Sequence, residues 1–226
     1  MKKKTINSEL VYLFAIIILS FSIALMTIAN MGLSAINGPA YILSEKIDLL
    51  TYGQAEYIIE GIVFIIFCVL MKKFKITYLS SFITGILYAT MADVWKIIFP
   101  FFQNQYEICI QLRILYFLIG FILSAIAIAL FYKSYLYPQI YDFFVQEMSK
   151  KYHLSLNVFK TGFDCIFLIL SFIMSFMLFH EIVGIGIGTI LVALFNGTLI
   201  DFFKNFFDKH FVCIPKLTKL AEYLKL

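Results

Sequence analysis

Four ionisable side chains lie where a membrane-crossing sequence would normally keep apolar ones. Glu56 and Glu60 stand one helical turn apart in an apolar run, and Lys160 and Asp164 repeat that spacing later in the chain. A charge at mid-depth in a bilayer costs about 2.5–3.5 kcal/mol on insertion scales, so it needs a partner, water or a task. Two carboxylates in a poorly solvated place make each other's ionisation costlier, so such a pair can exchange a proton or hold a cation. The spacing also allows a plainer reading, in which Lys160 neutralises Asp164 by an i,i+4 contact while Glu56 and Glu60 line a wet outer vestibule. The sequence leaves both open.

Two further groups of polar residues recur. Thr90-x-x-Asp93-x-x-Lys96 and Thr198-x-x-Asp201-x-x-Lys204 each close a long apolar run. Ion pairs at i,i+3, with the lysines reaching toward headgroups, account for them, and Trp95 suits an aromatic belt. Tyr88 and Asn196 lie deeper at matching positions and are expected to hydrogen-bond a solute or a neighbouring helix. Asn30, Ser34 and Asn37 sit in the most polar and breakable stretch, which also holds Gly32, Gly38 and Pro39. The candidate solute or ion pathway is therefore Asn30, Ser34, Asn37, Glu56, Glu60, Tyr88, Asp93, Lys160, Asp164, Asn196 and Asp201. No catalytic motif, metal-ligand spacing or phosphate loop is present, and His153, His180 and His210 are scattered. Neither enzyme activity nor a cofactor or metal is expected.

Elements that could position these residues follow from composition. Apolar residues are 62% of the 226 and charged residues 14%, where soluble domains average about 25% charged. A helix crosses a bilayer with roughly 20 apolar residues, because only internally hydrogen-bonded backbone is tolerated there. Six such windows stand at about 10–30, 54–71, 77–99, 112–132, 158–180 and 183–203. The expected fold is all-α, a single integral membrane domain over 1–226. The first window is too long for a secretory signal core and is expected to stay as a span.

Of the 18 basic residues, Lys46, Lys96 and Arg113 fall on one side of that layout and the other fifteen, counting Lys160 at the start of the fifth window, on the opposite side. Positive loops face the cytoplasm, so both termini are expected there, in a cell (inner) membrane. The net charge of +4 is thus a topology signal facing anionic lipid, and nucleic acid is not an expected partner. Cys68, Cys109, Cys165 and Cys213 form no framework of pairs in one oxidising compartment.

The matching run ends divide the chain into halves near 10–99 and 113–207, each with a long span, an amphipathic connector and two more spans. Three spans per half makes the second half enter from the opposite side, an inverted repeat of the kind transporters share. The connectors, 32–46 and 136–150, each carry a proline in a helix's first turn, Pro39 and Pro138. In the second, Ile140, Phe143, Phe144 and Met148 share a face opposite Asp142, Gln146 and Lys150. That pattern is a helix lying on the membrane surface or a re-entrant half helix with its N-terminus in a cavity. Gly184 and Gly188 form a GxxxG, read as internal packing ahead of a dimer face. Residues 214–226 are expected to be an interfacial amphipathic helix, with Leu217, Leu220, Ala221 and Leu224 on one face.

With its GlyLeuSerAlaIleAsnGlyPro segment after the first span and TyrProGlnIleTyrAsp after the fourth, the chain resembles the YczE/YyaS/YitT family of bacterial multi-span membrane proteins. The resemblance implies a bacterial inner-membrane protein and carries over no site residues. The expected activity is transport of a small-molecule solute through a polar site between the halves. The alternatives are a non-transporting scaffold and the substrate-binding subunit of an uptake complex. The expected partners are the lipid bilayer, a small-molecule solute, and a second copy of the chain or another membrane protein.

Overall fold

The structure, a computed structural model, describes residues 4–32, 34–50, 52–99 and 108–224, without the side chains of Ala89, Ala92, Asp93 and Lys96. Two four-residue strands, β1 (Lys4–Asn7) and β2 (Phe211–Ile214), frame a helical bundle. Between them run α1 (Ser8–Ala29), α2 (Gly38–Lys46), α3 (Tyr52–Met71), α4 (Ser80–Ile98), α5 (Ile110–Phe131), α6 (Ile140–Lys151), α7 (Leu156–Phe179) and α8 (Ile187–His210), and α9 (Thr218–Tyr223) follows β2. Five of these, α1, α3, α5, α7 and α8, are long and apolar enough to cross a membrane, which is the build of a multi-span α-helical membrane protein. The third expected window is α4, a 19-residue helix preceded by a 3-10 turn; its described apolar stretch is Ile76–Tyr88. The sixth window is shifted toward the C-terminus, because α8 starts only after the Gly184–Gly186 bend.

At the centre, α1 and α5 pack against each other in antiparallel register. At one end the Arg113 guanidinium donates to the carbonyls of Ala29 (2.7 Å) and Asn30 (2.6 Å), the bare acceptors of α1's C-terminus. At the other, Ser8 Oγ donates to Ser134 Oγ at 3.3 Å. Midway, Ser22 Oγ donates to the Gly120 carbonyl at 2.8 Å, and a Cβ on Gly120 would lie 2.7 Å from Met26 Cγ. Small residues on this seam, Ala15, Ala24, Ala125 and Ala129, let the backbones approach.

The flanking helices repeat one relation. Tyr12 Oη–H donates to Thr84 Oγ1 (2.7 Å) and Trp95 Nε1 donates to Ser20 Oγ (2.9 Å), so α4 runs parallel to α1. Phe117 meets Gly188 near the starts of α5 and α8, and Lys133 pairs with Asp208 (2.5 Å) near their ends, so that pair is parallel too. In element order each half reads long helix, short helix, long, long.

Some expected contacts are replaced. Trp95, half-buried, donates to Ser20 Oγ and makes an edge-to-face contact with Phe21, so it also ties α4 to α1. Lys204 pairs with Asp208 one turn on (3.2 Å), not with Asp201, which accepts instead from Asn205 Nδ2. The Asp93–Lys96 pair lies outside the described residues. The GxxxG glycines pack internally: a Cβ on Gly184 would meet Tyr41 and one on Gly188 would meet Phe117.

The C-terminal segment is not one long interfacial helix. β2 pairs in parallel with β1, Lys4 opposite Phe211, and only the six-residue α9 follows, with Ala221 and Leu224 buried while Leu217 and Leu220 stay exposed. The Glu9 carboxylate closes this end by accepting from the backbone N–H of Lys216 (2.8 Å) and Leu217 (2.7 Å) and from Tyr135 Oη–H (2.9 Å). Burial, together with the Glu9 carboxylate it serves, pushes the Tyr135 hydroxyl up to about 12.

Candidate functional site

α6 decides between the two readings of the second connector. Both of its faces are covered: Ile140, Tyr141, Phe143, Phe144, Val145 and Met148 are buried, and so are Asp142 and Glu147. A helix lying on a membrane surface keeps its charged face in water; this one lies inside the protein, among α3, α4 and α7. Its 12 residues span roughly 18 Å and the nine of α2 roughly 14 Å, about half a bilayer core each. The first connector folds as a 3-10 turn (Ala35–Asn37) leading into α2, with Gly38, Pro39, Ala40 and Ile42 buried.

The N-termini of these short helices meet at one cavity. It is lined by Ser34 and Asn37 ahead of α2 and by Gln139 and Asp142 at the start of α6, with Tyr88, Ser124, Lys160 and Asn196 completing its polar wall. Apolar cover comes from Leu19, Ile23 and Met26 of α1, Ile128 of α5 and Val192 of α8. The volume of about 60 Å³ holds several waters or a ligand of a few atoms. Away from the cavity the two helices diverge. α2 ends where Lys46 Nζ donates to the Leu178 carbonyl (2.8 Å), and α6 ends at Lys150 and Lys151, the latter donating to the Leu70 carbonyl. The two half-length helices therefore leave the cavity toward opposite ends of the bundle.

Lys160 belongs to this cavity. Although only the fifth residue of α7, it is level with the middle of α1, α4 and α8 and is 1% exposed. Its place among boundary lysines is thus corrected: α7 itself starts level with the middle of α8, where Thr198 Oγ1 donates to Asn157 Oδ1 at 3.1 Å. Its Nζ lies 3.0 Å from Asp164 Oδ1, as the i,i+4 spacing predicts, and 3.2 Å from Asp142 Oδ1 across the helix gap. The second contact joins the buried half helix to a spanning one.

Glu56 and Glu60 form a separate cluster on α3. Glu60 Oε1 accepts from Gln139 Nε2 at 2.8 Å, and Oε2 has no hydrogen bond. Gly85 of α4 makes room for this carboxylate, since a Cβ there would stand 3.2 Å from Oε1. Glu56 is 7% exposed, with the hydroxyls of Tyr52 and Tyr141 its nearest polar neighbours. Gln139 and Asp142, one turn apart on α6, link this cluster to the lysine site.

Two wider openings flank the cavity. One, of about 580 Å³, is lined by Asn30, Arg113 and Gly184 with Met26 at its base; the other, of about 670 Å³, by Tyr132, Lys150, His153 and Lys204. Met26 lines both the first opening and the cavity, and Tyr132, in the second, donates to the Asp142 carbonyl at 3.4 Å.

The structure therefore brings Ser34, Asn37, Tyr88, Lys160 and Asn196 to one cavity, sets Asp164 behind Lys160, and holds Glu56 and Glu60 in the neighbouring cluster. Asn30 lines the opening beside Arg113 with its backbone turned left-handed (φ 46°), Asp201 stays on a partly exposed side of α8, and the Asp93 side chain lies outside the described residues. Sequence reasoning missed Gln139, Tyr141 and Asp142. A usable signal was present: Asp142 is the only charge between Pro138 and Gln146, too thin a polar face for a helix resting at a water interface. Among the described residues no group of three or more His, Cys, Asp or Glu is arranged to hold a metal ion.

Residues 6–205 match the model of DUF6198, a family of unknown function, and the chain belongs to that family. An uncharacterized protein of Haemophilus influenzae is 24% identical over 205 residues, covering 89% of this chain and 84% of the relative. No solved structure matches. The likeness to YczE/YyaS/YitT proteins, carried by length, span pattern and the two connector segments, does not conflict with that membership.

Proposed function

We propose that this DUF6198 protein moves a small solute across the membrane through the cavity between its two halves. The observation that carries the reading is the meeting of two oppositely directed half helices at one buried polar cavity, with Lys160 in its wall. Backbone that breaks at mid-depth is tolerated only inside protein or against a water-filled space, and transporters use such breaks as binding sites. The repeated order of elements and the parallel pairs α1/α4 and α5/α8 support an inverted repeat of three spans each, with α4 as the sixth span. Pairing of β1 with β2 supports an even number of crossings, because both ends of the chain then lie on one side. The basic residues near that end, Lys133, Lys204 and Lys209 among them, support a cytoplasmic placement in a bacterial inner membrane.

In this reading Glu56 and Glu60 carry the coupling proton. Neither has a lysine or arginine partner among the described residues, and Gln139 and Asp142 relay their charge state to the cavity along the first turn of α6. No chemical step is assigned to the protein. Purified protein in liposomes under an imposed pH gradient is expected to pass protons, and Glu60→Gln and Asp164→Asn each to reduce that flux at least tenfold. Undiminished flux in both variants would remove these residues from the pathway; absence of any proton or solute flux in the wild type would favour a scaffold.

A further inference from the structure

We infer that Asp142, Asp164 and Asn196 form a binding site for a small monovalent cation, and that the Lys160 ammonium occupies it as a built-in competitor. The inference rests on the cavity being a ligand site and names the class of ligand it takes. Two buried acceptors lie on the cavity wall, Asn196 Oδ1 and Asp142 Oδ1. Asn196 is 4% exposed, lines the cavity, and its Oδ1 accepts from no group in the protein. Asp142 Oδ1 and Asp164 Oδ1 share the single Lys160 ammonium, at 3.2 and 3.0 Å, and Asp164 Oδ2 is buried with no partner among the described residues. One tethered ammonium thus serves two carboxylates and leaves Asp164 Oδ2 and Asn196 Oδ1 unserved.

Charge and size define the ligand. Two carboxylates against one ammonium leave the group short of positive charge, and Asp142 in the first turn of α6 already offsets the positive end of that helix. An unpaired acceptor asks for a donor or a metal ion, not for an anion. The cavity admits ammonium, a small amine or an alkali metal ion, whereas the quaternary centre of choline offers these oxygens neither an N–H donor nor a bare ion. An incoming cation that takes Asp142 frees Lys160 to Asp164 alone and so releases α6 from α7. Binding is thereby tied to the one contact that crosses between those helices.

The test is thermal unfolding of the full chain in detergent, titrated with ammonium, sodium or choline chloride at fixed ionic strength. Wild type is expected to be stabilised saturably by ammonium or sodium and not by choline; which of the two acts at lower concentration tells a hydrogen-bond donor from a metal ion. Lys160→Met removes the competitor and should lower the half-saturating concentration at least tenfold. Asn196→Ala, with the lysine intact, should raise it several-fold. If Lys160→Met folds only in ammonium or sodium, the inference is supported; if it folds in no salt, the Asn196→Ala comparison decides. Equal effects of all three salts, or an unchanged half-saturation in Asn196→Ala, would overturn it. Proton flux without small-cation stabilisation would leave the transport reading standing and sink this one, and the reverse result would do the opposite.

Discussion

Two acidic clusters lie side by side in this bundle, and they solve the burial of charge in different ways. Asp142 and Asp164 share Lys160, at 3.2 and 3.0 Å, so their balance is covalently supplied and always present. Glu56 and Glu60 have an amide from Gln139 and tyrosine hydroxyls nearby, but among the described residues no basic partner. In the proposed reading a proton balances them. The first cluster is therefore sensitive to anything that competes with a lysine, the second to anything that supplies a proton. Gln139 and Asp142 sit one turn apart on α6, which makes that short helix the place where the two sensitivities meet.

The largest break in this comparison is loss of the lysine. Lys160→Met leaves two buried acids facing each other and is expected to destabilise by about 3–5 kcal/mol, as removal of one partner of a buried pair does. Reversible unfolding in mixed micelles buffered with a large cation measures it, and adding Asp142→Asn and Asp164→Asn should recover most of the loss. Next comes Gly85→Val, which drives a side chain against the Glu60 carboxylate and should cost about 1–3 kcal/mol. Combining it with Glu60→Ala in a double-mutant cycle should show a coupling of at least about 0.5 kcal/mol, and additivity would place the strain elsewhere. The smallest effect sharpens the contrast. Glu60→Gln keeps an acceptor for Gln139 and removes an unbalanced charge, so stability should stay within about 1 kcal/mol of wild type or rise. A loss above about 2 kcal/mol would mean that Glu60, like Asp164, has a fixed internal partner.

Much of this was legible in the residues. The apolar windows located the long helices to within a few positions, since a bilayer demands a length and a composition that few other settings produce. The i,i+4 spacing gave Lys160–Asp164, because both members ride on one helix. The Asp142–Lys160 contact was hidden for the converse reason: it spans two helices and depends on how deep α6 lies. The expected Asp201–Lys204 pair gives way to Lys204–Asp208, one turn further, because Lys133 from the end of α5 fixes Asp208 within reach, a contact between distant segments that spacing within α8 does not reveal. β1 and β2 were invisible because neither four-residue segment carries a pattern of its own; each is a strand only beside the other.

That pairing also has a consequence in time. A membrane protein is inserted in the order of its sequence, and here Lys4 must wait for Phe211 before its backbone finds a partner. Until then α1 is held by α4 and α5 but is open at its start, with Glu9 facing none of its eventual donors on Lys216 and Leu217. A chain truncated before β2 would keep every spanning helix yet present an unpaired strand edge and a Glu9 carboxylate left with Tyr135 alone.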